Sequence, residues 1–367
     1  HGADAVYIGA SRFGARASAG NSVEDIARVV EYAHTFRVKV YVTVNTILKD
    51  EELPETEKLV WALYRAGVDA LIVQDMALLD LDLPPIPLHA STQVKFLHSL
   101  GFSQVVLARE LSLAEIQGVH EACDVPLEVF VHGALCVSYS GQCYVSQHCF
   151  GRSANRGECA QFCRLKFDMI DSDGRMIEQG RHLLSLKDMN RGADLERLLD
   201  AGVTSLKIEG RLKDVAYVKN VTAWYRSRLD EIFKRRPEYR RASSGQVSLA
   251  FTPCLEKSFN RGFTRYFLDG RTPDIFSFHT PKSLGEEVGT VKEVRGKCIV
   301  VSGVKPFANG DGLCFLDEQG NLQGFRVNRV EANKIYPAEM PRVRPHARLY
   351  RNFDKAFEDV LSRPSAV

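Results

Sequence analysis

Seven short apolar runs recur between Asp4 and Glu209, and most are followed by apolar residues at helical spacing. The runs are Asp4–Gly9, Lys39–Asn45, Ala70–Gln74, Pro87–Ser91, Gln104–Arg109, Leu127–His132 and Ser205–Glu209. Their apolar character is continuous rather than alternating, as in strands covered on both faces. Helices are predicted between them. Ser22–Phe36 places Val23, Ile26, Val29, Val30 and Ala33 on one face, and Pro54–Ala66 carries Pro in its first turn. Ser112 caps a helix reaching about Ala122, and Asp194–Ala201 forms another. Repeated strand–helix units build a parallel sheet with helices outside. Seven such strands before a long basic helix predict an α/β fold: a (β/α)8 TIM-like barrel over residues 1–241 with one strand missing. The opening HGADAV reads as the end of a helix entering a second strand, so the first strand is the expected absentee. Between Ser91 and Gln104 only Val94–Leu100 reads as helix. A crossover needs about 10–12 residues or more, so residues are expected to be missing near Gln93–Val94.

After Arg241 the composition shifts. RASSGQ reads as a linker, and Gln246–Ala250, Glu287–Val294, Cys298–Gly303, Gly312–Leu316 and Gln323–Arg329 read as short strands. Turns rich in Gly, Asn and Asp separate them, which predicts a small β-barrel over 242–350 and a tail over 351–367. With 367 residues, 45% apolar, the chain can fill one large domain and a smaller one. No apolar run approaches the length of a membrane span, so no membrane partner is expected. A net charge of +2 decides nothing about nucleic acid. Local excesses of Lys and Arg, over Arg211–Arg241 and Arg342–Lys355, could meet RNA phosphates, although a solvated helix face explains the first slightly better.

The stretch from Glu128 to Lys166 holds five of the nine cysteines. Cys136 pairs by spacing with Cys143 (C-x6-C), and Cys159 with Cys163 (C-x3-C), in a segment without helical or strand period. A metal or an iron–sulfur cluster would hold a loop that has no core of its own. Packing explains the scattered Cys123, Cys254, Cys298 and Cys314 well, but four thiols within one loop poorly. An odd cysteine count and no signal peptide argue against disulfides and for a reducing, cytoplasmic location. Structural zinc stays an alternative, though the spacing differs from the tight C-x2-C pairs of zinc ribbons. Cys149 lies between the pairs and is left out, since the pairs already supply four ligands.

Chemistry in a parallel barrel sits at the carboxyl ends of its strands. Asn45, Gln74, Asp75, His89, Ser91, Gln93, Arg109, Glu110, His132, Lys207, Glu209 and Arg211 collect there. Asn45, His89 and Gln93 are candidate substrate contacts, while Arg109, Lys207 and Arg211 would clamp a carboxylate or phosphate. Glu128 lies within a strand, and on an interior face it must be paired or protonated. With His132 and Glu209 it completes a set of candidate acids and bases. Protease and nucleotide signatures are absent: there is no H-E-x-x-H, G-x-S-x-G, P-loop or G-x-G-x-x-G.

Glu128, Phe130, Gly133, Ala134, Leu135, Cys136, Gly141, Cys143, Val145 and Ser146 match the signature of the U32 family, E-x-F-x-x-G-[SA]-[LIVM]-C-x4-G-x-C-x-[LIVM]-S. The chain thus resembles a family described as collagenase-like peptidases. It is most similar to a branch needed for 5-hydroxycytidine in 23S ribosomal RNA, through runs such as HGADAVYIG, GVDALIVQDM, GRSANRGEC and KIEGR that span almost the whole chain. The family is also similar to tRNA- and ubiquinone-hydroxylation proteins with four-cysteine iron–sulfur clusters. The resemblance implies an RNA cytidine hydroxylase with a 4Fe-4S cluster on Cys136, Cys143, Cys159 and Cys163, ribosomal RNA as partner, and prephenate or a related acid as co-substrate. Two alternatives stay open: a peptidase, and a non-catalytic RNA-binding protein with a structural cluster or zinc.

Overall fold

The computed structural model describes residues 1–13, 20–91, 94–210, 213–303 and 305–364. Seven parallel strands run through the first part: β1 (Ala5–Ala10), β2 (Lys39–Val44), β3 (Ala70–Val73), β4 (Leu88–Ser91), β5 (Gln104–Val106), β6 (Leu127–Gly133) and β7 (Val203–Ile208). Each pairs with the next in chain order, so the sheet is built by simple right-to-neighbour steps. Val40, Val42, Val44, Leu71, Val105, Leu127 and Val131 are completely buried in it. Each such side chain contributes about 1.5–3 kcal/mol on leaving water. No register pairs β1 with β7 among the described residues; Tyr7 donates its hydroxyl to the Ile208 carbonyl across the seam at 3.3 Å. A cavity of about 460 Å³ opens there, lined by Tyr7, Tyr41, Glu128, Lys207 and Tyr225.

The expected helices form where their caps lie. α1 (Val23–Thr35) starts at Ser22, whose hydroxyl accepts from Asp25 N–H, and buries Ile26, Val30 and Ala33. α2 spans Leu53–Arg65 with Pro54 in its first turn. α3 (Val94–Ser99) is six residues long, yet β4 and β5 stay in parallel register from His89 to Ser91. The expected break near Gln93–Val94 falls at residues 92–93, outside the described residues. α4 (Leu113–Ala122) carries a capping box between Ser112 and Glu115. α5 (Val145–Phe150) lies inside the cysteine loop, where no helix was expected. α6 (Leu195–Asp200) and α7 (Val215–Arg235) complete the outer layer.

The second unit begins later than the composition suggests. Residues 246–250 form no strand. Phe263–Thr264 instead pairs with Asp188–Asn190, which runs antiparallel to β6, so this region belongs with the first sheet. The closed antiparallel barrel comprises β8 (Glu286–Arg295), β9 (Cys298–Ser302), β10 (Gly312–Leu316), β11 (Leu322–Glu331), β12 (Lys334–Pro337) and β13 (Arg348–Phe353). The expected tail from 351 is therefore part strand. Arg351 disguises it: this cation is buried, with Glu286, Asp311 and Asp354 around its guanidinium. After it, α8 (Lys355–Leu361) returns to α7, where the Lys219 ammonium donates to the carbonyls of Leu361 and Arg363.

The basic patches are largely neutralised. Arg226 pairs with Asp4 and Asp230, Arg228 with Glu231, Arg235 with Glu196, and Arg236 with Asp200 and Glu238. Arg344 pairs with Glu318 and Lys355 with Asp359. Among the described residues no helix is long and apolar enough to cross a membrane.

Candidate active site

β6 delivers the chain to the site through one glycine. Gly133 has φ +115°, and a Cβ there would lie 2.6 Å from the Glu209 carbonyl oxygen. Only a residue without a side chain lets the ends of β6 and β7 approach this closely. Glu209 N–H donates to the His132 carbonyl at 2.8 Å, fixing the approach.

The cysteine loop then lies across the strand ends, held by carboxylates that follow two of them and by its own arginines. Glu110, after β5, accepts from Ser140 N–H at 2.6 Å. Arg156 grips Glu52, after β2, at 2.7 and 3.2 Å and also donates to the Ile47 carbonyl. Arg164 donates to the Leu135 and Leu186 carbonyls and the Ser185 hydroxyl at 2.8–3.0 Å, tying the second cysteine pair back to the first. Ser146 accepts from Ala160 N–H at 3.0 Å, linking α5 to Cys159.

Cys136, Cys143, Cys159 and Cys163 are free thiols, all half-buried, whereas Cys149 is exposed. Burial pushes the Cys136 thiol up, and Cys143 and Cys159 push it further. Burial does the same to Cys163, with Cys136, Cys159 and Cys143 adding to it against the Arg164 cation. The Cys136 and Cys163 thiols therefore lie within electrostatic reach of other cysteines of the loop. Among the described residues, no three or more His, Cys, Asp or Glu groups are drawn together as around a single metal ion. Of the remaining cysteines, Cys298 and Cys314 are buried in the barrel, and burial pushes Cys314 up to about 12.

Beside this loop is a narrow cleft of about 50 Å³ lined by Arg109, Glu110, Phe130, Cys136, Ser140 and Tyr266. The Arg109 guanidinium lies 3.6 Å over the Phe130 ring and 3.5 Å from the Glu209 carboxylate. Arg191, which nothing in the sequence pattern singled out, is 1% exposed and donates to the carbonyls of Arg109, Phe130 and Arg265. It locks the strand ends that frame the cleft, and burial pulls its pKa down to about 10.

Other expected site residues are placed elsewhere. Glu128 is buried in the sheet interior and meets the Lys207 ammonium at 2.7 Å, with Ser205 and Gln104 donating at 2.7 and 3.0 Å. Burial opposes its ionisation, but the Lys207 charge and these hydrogen bonds outweigh it, and its pKa sits below the usual carboxylate value. Lys207 also faces the Tyr7 ring at 4.5 Å. Of the expected three-cation clamp, Lys207 is held by Glu128 and Arg109 by Glu209, while Arg211 lies outside the described residues, as does Gln93. His89 is buried against Tyr41, its Nδ1 without a hydrogen-bond partner, and burial lowers its pKa to about 4. Asn45 is half-buried just beyond β2. His132 was expected at the mouth with Glu209. Its ring instead packs among Tyr217, Tyr225 and Phe263, 2% of the residue is exposed, and burial lowers its pKa to about 3. The sequence could not foresee this, because α7 supplies both tyrosines from far along the chain.

Comparison with known proteins follows this geometry. The 23S rRNA 5-hydroxycytidine C2501 synthase of Escherichia coli is 50% identical over 383 aligned residues, covering 100% of this chain and 58% of that protein. The chain therefore spans little more than half the length of that relative. The tRNA hydroxylation protein P1 of Bacillus subtilis is 34% identical, covering 79% of this chain and 72% of its own. A collagenase of Porphyromonas gingivalis is 30% identical, covering 97% and 94%. The model of peptidase family U32 matches residues 1–276, the parallel sheet together with its cysteine loop, and the chain belongs to that family.

Proposed function

We propose that this chain hydroxylates carbon 5 of a cytidine in 23S ribosomal RNA, using an iron–sulfur cluster held by Cys136, Cys143, Cys159 and Cys163. The observation that carries the reading is a single loop with four half-buried free thiols, of which Cys136 lines the cleft at Arg109. The similarity to the 23S synthase supplies the substrate, and the hydroxylation proteins among the relatives support the reaction class. We read the seven parallel strands as a TIM-type (β/α)8 barrel open between β1 and β7, with the site at the carboxyl ends of its strands.

The donor set suits a cluster. Four thiols without histidine are the ligands of a 4Fe-4S centre. A single tetrahedral zinc with bonds of about 2.3 Å would draw its sulfurs to about 4 Å of one another. A polynuclear centre spreads its ligands further apart than that. When bound, such a cluster supplies one-electron transfer. The chain's own residues do the rest. Arg164 places a cation beside Cys163 and within reach of Cys136, offsetting thiolate charge. Arg191 and Gly133 hold the cleft's frame. Arg109 lines the cleft, and a phosphate or a carboxylate co-substrate such as prephenate would compete with Glu209 for it. The target base must leave its stack to reach a cleft this narrow. A thiol-ligated cluster acting on ribosomal RNA fits a reducing cytoplasm.

The similarity to a collagenase favours a peptidase as the second reading. Its chemistry is poorly served here, since the groups acting on Cys136 are other thiols and Arg109, while His132 is sealed among aromatic rings. The deciding experiment expresses this chain in a strain lacking its own 23S cytidine hydroxylase and reads ribosomal RNA by mass spectrometry. Restored 5-hydroxycytidine, lost with Cys136→Ala together with the brown colour of anaerobically purified protein, is the expected result. A colourless protein with stoichiometric zinc, or cleavage of gelatin by metal-free protein, would overturn the reading.

A further inference from the structure

Tyr139 and Tyr144 are 70% and 69% exposed, more than any other large apolar side chain described. They stand on either side of Cys143, in the loop that covers the strand ends. Other aromatic residues of this loop are engaged: Phe150 meets Phe162 at 6.3 Å, and Phe162 meets Phe167 at 5.0 Å. Among the described residues neither tyrosine ring contacts another ring. Their display is enforced. Ser138, Ser140 and Gly141 line the cleft, whereas Tyr139 does not. Ser140 holds φ +50° and Gly141 φ +73°, and Ser140 N–H is fixed to the Glu110 carboxylate. At Tyr144, the carbonyl accepts from His148 N–H and starts α5, which fixes the backbone there too.

Rigid aromatic faces held in water beside a cleft have a specific use. Unstacked bases stack on them, whatever the sequence, because every base has a π-face. The surroundings suit a polyanion. Residues 134–166 carry four cations against a single acid, Glu158; Arg156 is paired with Glu52 and Arg164 is turned onto carbonyls, which leaves Arg152 and Lys166 to meet a phosphate. We infer that Tyr139 and Tyr144 form a stacking platform that seats single-stranded RNA bases flanking the nucleotide presented to the cleft. This rests on the proposed RNA substrate and goes beyond it by naming the residues that grip the unpaired strand. Both are binding residues and stand apart from the reacting atoms.

The test uses the whole chain and a short fluorescein-labelled single-stranded RNA rich in cytidine, with a duplex of the same sequence as control. Anisotropy titration gives the affinities. Stacking on one aromatic residue accounts for about 1–3 kcal/mol per base, so Tyr139→Ala and Tyr144→Ala are each expected to weaken single-strand binding by roughly 5- to 150-fold. Tyr139→Phe and Tyr144→Phe keep the ring and should stay within about twofold of the parent, since stacking and not the hydroxyl is invoked. Duplex binding should not change in any variant. Both positions are exposed, so melting temperature and iron content should match the parent and exclude a folding defect. Unaltered single-strand affinity in both alanine variants overturns the inference even where the parent restores 5-hydroxycytidine. Equal losses with alanine and phenylalanine overturn it as well. If the parent restores no 5-hydroxycytidine yet the alanine variants lose single-strand binding, the hydroxylase reading fails and the platform stands.

Discussion

Replacing Lys207 by Met isolates the buried charge at the centre of the sheet. Glu128 and Lys207 meet at 2.7 Å, with side chains 7% and 8% exposed. At an effective dielectric near 20, that contact is worth about 6 kcal/mol of attraction before desolvation is subtracted. Removing one partner of a buried pair leaves the other uncompensated and costs about 3–5 kcal/mol. Ser205 and Gln104 still donate to Glu128 in Lys207→Met, so the lower part of that range is expected. Urea unfolding of the parent, Lys207→Met, Glu128→Gln and the double variant gives the cycle. The double variant should regain most of the loss, because a neutral amide keeps the Ser205 and Gln104 contacts without a buried charge. The pH dependence has a defined sign. With Lys207 present, Glu128 titrates below its unfolded value, so its contribution is present at neutral pH and lost as pH falls through that range. In Lys207→Met only burial remains as a strong influence, which raises the pKa, so the variant's deficit relative to the parent should shrink in acid. A loss under about 1 kcal/mol, or a double variant no more stable than Lys207→Met, would refute the pairing as a determinant of stability. Activity separates structure from substrate binding: if Lys207 also clamps substrate, the stable double variant still makes no 5-hydroxycytidine.

Two further outcomes follow from the same geometry. His89 and His132 are held neutral, with pKa values of about 4 and about 3 against an ordinary 6.5, so the unfolded chain takes up protons that the folded chain refuses. Their stabilising effect is complete above pH 6.5 and drains away below it, by about 4 kcal/mol together between pH 7 and pH 5. His132→Phe should remove about half of that slope in urea midpoints taken at the two pH values, and an unchanged slope contradicts the assignment. Gly133→Ala forces an L side chain to φ +115° against the Glu209 carbonyl, for a cost of at least about 1–3 kcal/mol. A melting temperature equal to the parent's would show that the ends of β6 and β7 do not need their close approach.

The amino-acid sequence alone determined the local elements and their order. Short continuous apolar runs bounded by turn residues read as covered strands, Ser22 and Ser112 mark helix starts through hydrogen bonds made within one turn, and Pro54 marks one through its fixed φ. The paired thiols likewise announced their loop, because ligand chemistry is carried by residue type and spacing. Tertiary structure decided which charges are free. Lys207 and Glu128 are 79 residues apart, Arg156 and Glu52 are 104 apart, and Arg351 and Glu286 are 65 apart, so no local pattern records their union. The fate of His132 was set in the same way, by tyrosines of α7 that close over it. Short-range physics writes itself into adjacent residues. Neutralisation and burial are properties of neighbours that only folding creates, and they joined Lys207 to Glu128 and Arg109 to Glu209.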